Sequence, residues 1–162
     1  MGKTSFANEY LRLERPDLTF VNADEIRRNL AEPPFGETQR DRQAGRLMLK
    51  QIDGLVAARQ SFMFETTLAS LAYATKIPTW RQQGYRIALT YLRLPSAEAS
   101  LRRVRRRVEA GGHGVPESII RRRFQKSAAY FQRIYKPVVD EWYVWDSLEG
   151  EFRLAESWVG HD

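Results

Sequence analysis

A chain of 162 residues with 43% apolar residues is long enough for one domain with a real hydrophobic core and too apolar to be disordered. It has no cysteine, which excludes disulfides, thiolate metal sites and a thiol nucleophile, and with only His113 and His161 a His-rich metal site is not expected. The net charge of +6 suits an anionic partner of either of two kinds, nucleic acid or a small polyanion such as a nucleoside triphosphate.

The first element is the opening stretch, MGKTSFANEYL. Gly2, Lys3 and Thr4 match the last three positions of the phosphate-binding pattern G-x-x-x-x-G-K-[ST], with Met1 at the fifth. In a complete loop the backbone N–H groups surround phosphates, the lysine reaches the β and γ phosphates, and the hydroxyl ligates Mg2+. Alone, G-K-T is a chance match. Here SFANEYLRLE reads as an amphipathic helix, and a strand follows at 18–24 (LTFVNAD). That strand carries Asn22 and Asp24 to its C-terminal edge, where open α/β sheets bind ligands. Asp24 has two open roles, cap of the following helix or ligand-facing carboxylate, and Arg27 and Arg28 fit a solvated surface.

After the break at Pro33-Pro34, the spacing of Ala44, Met48, Ile52 and Val56 predicts a helix over 38–59, with Leu47 and Leu55 on the same side. A second strand, 61–66 (SFMFET), closes on Glu65, a carboxylate that is costly at that place unless it meets water, a partner or a substrate. A helix over 71–83 is interrupted by Pro78, a candidate new start. A third strand runs over 86–94 and a helix over 96–110. In that helix Arg103 and Arg107 share a face, and Val104 and Val108 give an apolar stripe. Gly111-Gly112-His113-Gly114 is the next break, a loop that would let the flanking helices swing together. Pro116-Glu117 then starts a helix over 116–135. A fourth strand lies at 142–147 (WYVWDS). Near-continuous apolar strands alternating with helices predict a parallel α/β sheet whose strands are buried on both faces. No 18-residue apolar run and no charged-then-apolar leader is present, which fits a cytoplasmic protein.

The ordered series GKTSFANEYL, FVNADEIRRNL, AGRLML, SFMFETTLAS, GYRIALTYLRLPS, RVRRRVEAGGHGVPESIIRRRF and YKPVVDEW resembles the zeta-toxin-like P-loop kinases, in the branch typified by a GGHxVP loop, from Gly2 to about Asp146. The resemblance implies a P-loop kinase fold with a parallel sheet in the order 2-3-1-4-5. It implies ATP and Mg2+ as cofactors and transfer of the γ-phosphate to a hydroxyl of a small acceptor, in the best-known members a UDP-activated amino sugar, with an antitoxin protein as partner. By matching position, Gly2, Lys3, Thr4 and Ser5 would hold the nucleotide, with Thr4 on the metal. Asp24 would be the base at the acceptor hydroxyl, and Asn22, Glu65 and Thr66 would bind substrate. Arg103 and Arg107 would clamp phosphates, with His113, Arg122 and Arg123 in the adjoining lid. Positive charge for the moving group and a base for the nucleophile are what phosphoryl transfer needs.

Two departures stand out. The family's DNS after the last strand reads Asp146-Ser147-Leu148. The first, central strand and the leading half of the phosphate loop are not in the chain, so an in-frame upstream extension of about 8–15 residues is expected, one strand plus the loop's start. Two alternatives remain beside a single-domain kinase: a non-catalytic truncated remnant, and a basic nucleic-acid-binding module. Against the second, the aromatics sit in strands and helix faces, where packing explains them.

Overall fold

The structure, a computed structural model, describes residues 2–30, 36–112, 114–149 and 151–160, and for Glu37 and Thr38 the backbone alone. Pro33-Pro34 and His113 lie outside the described residues. Two compact units divide the chain, Lys3–Glu65 and the described residues from Thr66 onward with Gly2.

The first unit opens with a helical segment: α1 (Lys3–Phe6), a π-wound turn (Ala7–Leu11) and α2 (Arg12–Glu14). It buries Phe6 and Ala7, and the Phe6 ring stacks on Tyr10 at 4.9 Å. It stops at Arg15, which leaves helical geometry (φ −131°) because Pro16 disfavours a helical residue before it. Strand β1 (Thr19–Val21) follows, then α3 (Ala23–Asn29), α4 (Glu37–Ala57) and β2 (Phe62–Phe64). Strands β1 and β2 pair in parallel, Thr19 opposite Phe62 and Val21 opposite Phe64. On α4 the four-residue spacing buries Ala44, Met48 and Ile52, whereas Leu47, expected on that side, is exposed. Helix α3 is tied to α4 by Arg40, whose guanidinium donates to the Arg27 and Leu30 carbonyls at 3.1 and 2.8 Å and so gives two carbonyls at the α3 end a side-chain donor.

The second unit contains α5 (Ile77–Gln82), β3 (Ala88–Arg93), α6 (Ala97–Glu109), α7 (Glu117–Tyr130), a π-wound turn (Phe131–Tyr135), β4 (Glu141–Ser147) and β5 (Phe152–Val159). Its sheet has the order β3-β4-β5, parallel between β3 and β4 and antiparallel between β4 and β5. Phe131 anchors the core: its ring stacks on Tyr91 at 4.4 Å and meets the edge of Trp142 at 6.2 Å. Burial of Phe131, Tyr135, Val139 and Val144 fixes the π-wound turn against the sheet.

The α/β architecture with a small parallel sheet and flanking helices agrees with the sequence-based expectation, with four differences. Most residues of β1 to β4 are half-buried rather than enclosed on both faces, and the strands form two sheets. Strand β5 was not predicted. The helix expected over 71–83 is reduced to Ile77–Gln82, with Pro78 in its first turn, where a missing N–H costs nothing. The first two glycines of the 111–114 break close the end of α6. Gly111, at φ +82°, donates its N–H to the Val108 carbonyl at 2.9 Å, and Gly112 donates to the Arg107 carbonyl at 2.8 Å. That paired bonding completes the C-terminus of α6. A side chain on Gly112 would meet the Arg107 carbonyl oxygen at 2.8 Å, so the backbone approach requires glycine there.

Candidate functional site

In the first unit, Asn22 and Glu65 are the residues next in line after the ends of the paired strands β1 and β2. Both therefore lie at the C-terminal edge of the strand pair. Asn22 is buried, and its side-chain oxygen accepts the Asp24 N–H at 2.8 Å. Asn22, not Asp24, is thus the cap of α3, and Asp24 is left exposed in the first turn. Glu65 is half-buried and accepts the Thr4 hydroxyl, with 2.8 and 3.0 Å to its two carboxylate oxygens. Lys3, beside Thr4, is exposed, as is Ser5. Thr4 and Glu65, 61 positions apart, are thus brought together as a hydroxyl–carboxylate pair, a contact that the sequence spacing did not reveal.

The second unit holds the arginines. Arg103 is half-buried on α6 and donates through Nη2 to the Ser147 hydroxyl at 2.6 Å. Ser147, the last residue of β4, is itself buried. Burial alone pulls the Arg103 guanidinium below the usual arginine range. Arg107, Arg122 and Arg123 are exposed. Val104 is half-buried, but Val108 is exposed, so the apolar stripe of α6 is shorter than expected. The Thr66 hydroxyl oxygen accepts the Leu68 N–H at 3.2 Å, a local turn in which Leu68 takes φ +55°.

Three contacts escaped the sequence. Arg121 bridges α6 and α7, pairing with Glu98 at 2.7 Å and with Glu117, one turn earlier on α7, at 2.9 Å. Arg93 grips Asp146 with two hydrogen bonds, 2.7 and 3.2 Å, and reaches Glu156 at 3.0 Å. The Arg93 hydrogen bond holds the Asp146 carboxyl below the ordinary carboxylate range. The third is the Arg103–Ser147 bond, which no spacing announces.

With a strand-end carboxylate on a Gly-Lys-Thr hydroxyl in place, the comparison that decides the family is the match of residues 3–146 to the zeta toxin family model. The chain belongs to the zeta toxin family. An uncharacterized protein of Haemophilus influenzae is 27% identical over 84 residues, which cover 52% of the chain and 60% of that relative. No solved structure matches the chain. Among the described residues there is no helix long and apolar enough to cross a membrane, and no group of three or more histidine or carboxylate side chains that could hold a metal ion.

Proposed function

We propose that this zeta toxin family member is an ATP-dependent kinase that transfers the γ-phosphate to a hydroxyl of a small-molecule acceptor. The observation that carries this is the Thr4–Glu65 pair, which sets the hydroxyl of Gly-Lys-Thr on the carboxylate at the end of β2. Thr4 and Glu65 are the residues that would hold Mg2+: both offer hard oxygen donors, and the chain has no cysteine to draw a softer metal. Magnesium held there would supply charge neutralisation for the nucleotide phosphates. The exposed Lys3 ammonium binds phosphate oxygens. Asp24, released from capping by Asn22, takes the proton from the attacking hydroxyl. Arg103 and Arg107 bind phosphate. The acceptor to try first is a UDP-activated amino sugar, and an antitoxin protein is the proposed partner.

The test is a thermal shift followed by a transfer assay. A ligand at 100 times its Kd stabilises by about 2.7 kcal/mol, and a chain of this size gains roughly 2–4 °C per kcal/mol, so saturating Mg-ATP should raise Tm by several degrees. Lys3→Ala should abolish the rise, and Thr4→Ala should lose its magnesium dependence. If Lys3→Ala keeps the parental rise, the phosphate-loop role of Gly2, Lys3 and Thr4 is lost. A rise without γ-phosphate transfer to any hydroxyl acceptor would favour the non-catalytic remnant.

A further inference from the structure

The described arginines that make ion pairs differ from Arg103 in one respect. Arg15, Arg27, Arg81, Arg93 and Arg121 all meet carboxylates between 2.7 and 2.9 Å. Arg103 is half-buried, and its hydrogen-bond partner is a neutral hydroxyl, that of Ser147 at 2.6 Å. A carboxylate is adjacent in sequence, since Asp146 precedes Ser147. Successive strand residues face opposite sides, however, so the acid goes to one face of β4 and the hydroxyl to the other. Arg93, opposite Asp146 in the β3–β4 register, takes that acid with two hydrogen bonds. Glu149, just beyond, pairs with Arg106 at 3.5 Å. Among the described residues, the Arg103 charge is therefore anchored but not neutralised, at the C-terminal end of β4.

We propose that Ser147 is a positioning residue, a neutral anchor that fixes the Arg103 guanidinium while leaving its charge available to a phosphate group of the substrate. Partial burial fits this role. A cation removed from water with no carboxylate beside it attracts an anion more strongly than a solvated one does. A carboxylate at 147 would hold the side chain equally well and cancel its field. The buried hydroxyl serves for placement, since it fixes one guanidinium N–H and leaves the other four donors for phosphate oxygens.

This assignment builds on the kinase proposal above, and the experiment separates the two. Binding of tripolyphosphate, Kd and KM for Mg-ATP, kcat and Tm would be measured for the parent, Ser147→Thr, Ser147→Ala, Ser147→Asp, Arg103→Ala and Arg103→Ala/Ser147→Ala. Loss of a hydrogen bond to a charged group predicts about tenfold weaker tripolyphosphate and ATP binding for Ser147→Ala. Ser147→Thr, which keeps the hydroxyl, should restore binding. Ser147→Asp should bind as poorly as Arg103→Ala while its Tm stays at or above that of Ser147→Ala, a split that a merely structural serine would not produce. The double variant should be no worse than Arg103→Ala, because both changes act through one guanidinium. Should Ser147→Asp not fold, the Ala-against-Thr comparison decides. Parental binding in Ser147→Asp or Ser147→Ala, or in Arg103→Ala, overturns the assignment even if transfer is intact. Binding that follows Ser147 and Arg103 in a protein that transfers no phosphate supports the assignment and removes the kinase proposal instead.

Discussion

At the residue scale, Asn22 and Asp24 divide two tasks that the sequence left open for Asp24. Asparagine and aspartate cap helices about equally well, and helix starts shift by one or two residues, so the reading of Asp24 as the cap fell two residues late. The structure gives the cap to Asn22, whose side chain accepts the Asp24 N–H, and leaves the Asp24 carboxylate exposed. The two residues should therefore respond differently to substitution. Asn22→Ala removes a cap and should cost about 1 kcal/mol, lowering Tm by roughly 2–4 °C with or without ligand. Asp24→Asn should leave Tm and the Mg-ATP shift at parental values and reduce transfer by about 10²–10⁴-fold, the usual contribution of a general base. Parental transfer in Asp24→Asn would remove Asp24 from the chemistry. At this scale the sequence placed Asn22 and Glu65 at strand ends, where the structure has them, but it put Asp24 there as well, whereas Asp24 lies in the first turn of α3, and it could not pair these residues. Glu65 reads as a carboxylate in need of a partner, and only the fold shows that the partner is Thr4.

At the element scale, two helices end on the same bonding pattern with different residues. Helix α6 ends through Gly111 and Gly112, and α4 through Arg59 and Gln60. The Arg59 N–H donates to the Val56 carbonyl and the Gln60 N–H to the Leu55 carbonyl, both at 3.0 Å. The left-handed residue is Gly111 at φ +82° in one and Arg59 at φ +54° in the other. A side chain in that region costs about 1–2 kcal/mol, part of which glycine gives back in unfolded-state entropy. Arg59→Gly should therefore raise Tm by a degree or more, and Gly111→Ala should lower it by roughly 2–4 °C. Circular-dichroism melts of both variants check the pair, and a fall in Tm for Arg59→Gly would contradict it. The glycines of 111–114 were legible as a break, but not as a cap, because the cap consists of bonds to backbone carbonyls that the sequence does not display. Strand β5 was missed for a related reason. From Arg153 to Val159 its residues are exposed, so FRLAESWV lacks the burial alternation that marks a strand, and its pairing with β4 is what defines it.

At the scale of the whole molecule, the chain is divided unequally. The unit Lys3–Glu65 has the buried residues Phe6, Ala7, Val21, Ala44, Met48 and Ile52 as its core. The other unit has about twice as many buried apolar side chains, among them Trp80, Phe131, Tyr135 and Val144. A chain of about 60 residues buries only about 60% of the surface its unfolded form exposes and is marginally stable, so the first unit should have the lower intrinsic stability. Tryptophan reports on one side of this division: Trp80, Trp142, Trp145 and Trp158, all four in the chain, follow Thr66. Far-ultraviolet circular dichroism also senses α3 and α4 in the first unit. In a urea titration the circular-dichroism signal should begin to fall at lower denaturant than tryptophan fluorescence, because two units of different stability break the coincidence of probes that an all-or-none transition requires. Mg-ATP adds a second condition. Lys3, Thr4 and Glu65 all belong to the first unit, so nucleotide should raise the midpoint of the early, fluorescence-silent phase more than that of the later one. Superimposable transitions in the absence of nucleotide would show that the chain unfolds as one cooperative block. An early phase that ignores Mg-ATP while the late phase responds would place nucleotide binding in the unit of the arginines instead of at Lys3 and Thr4.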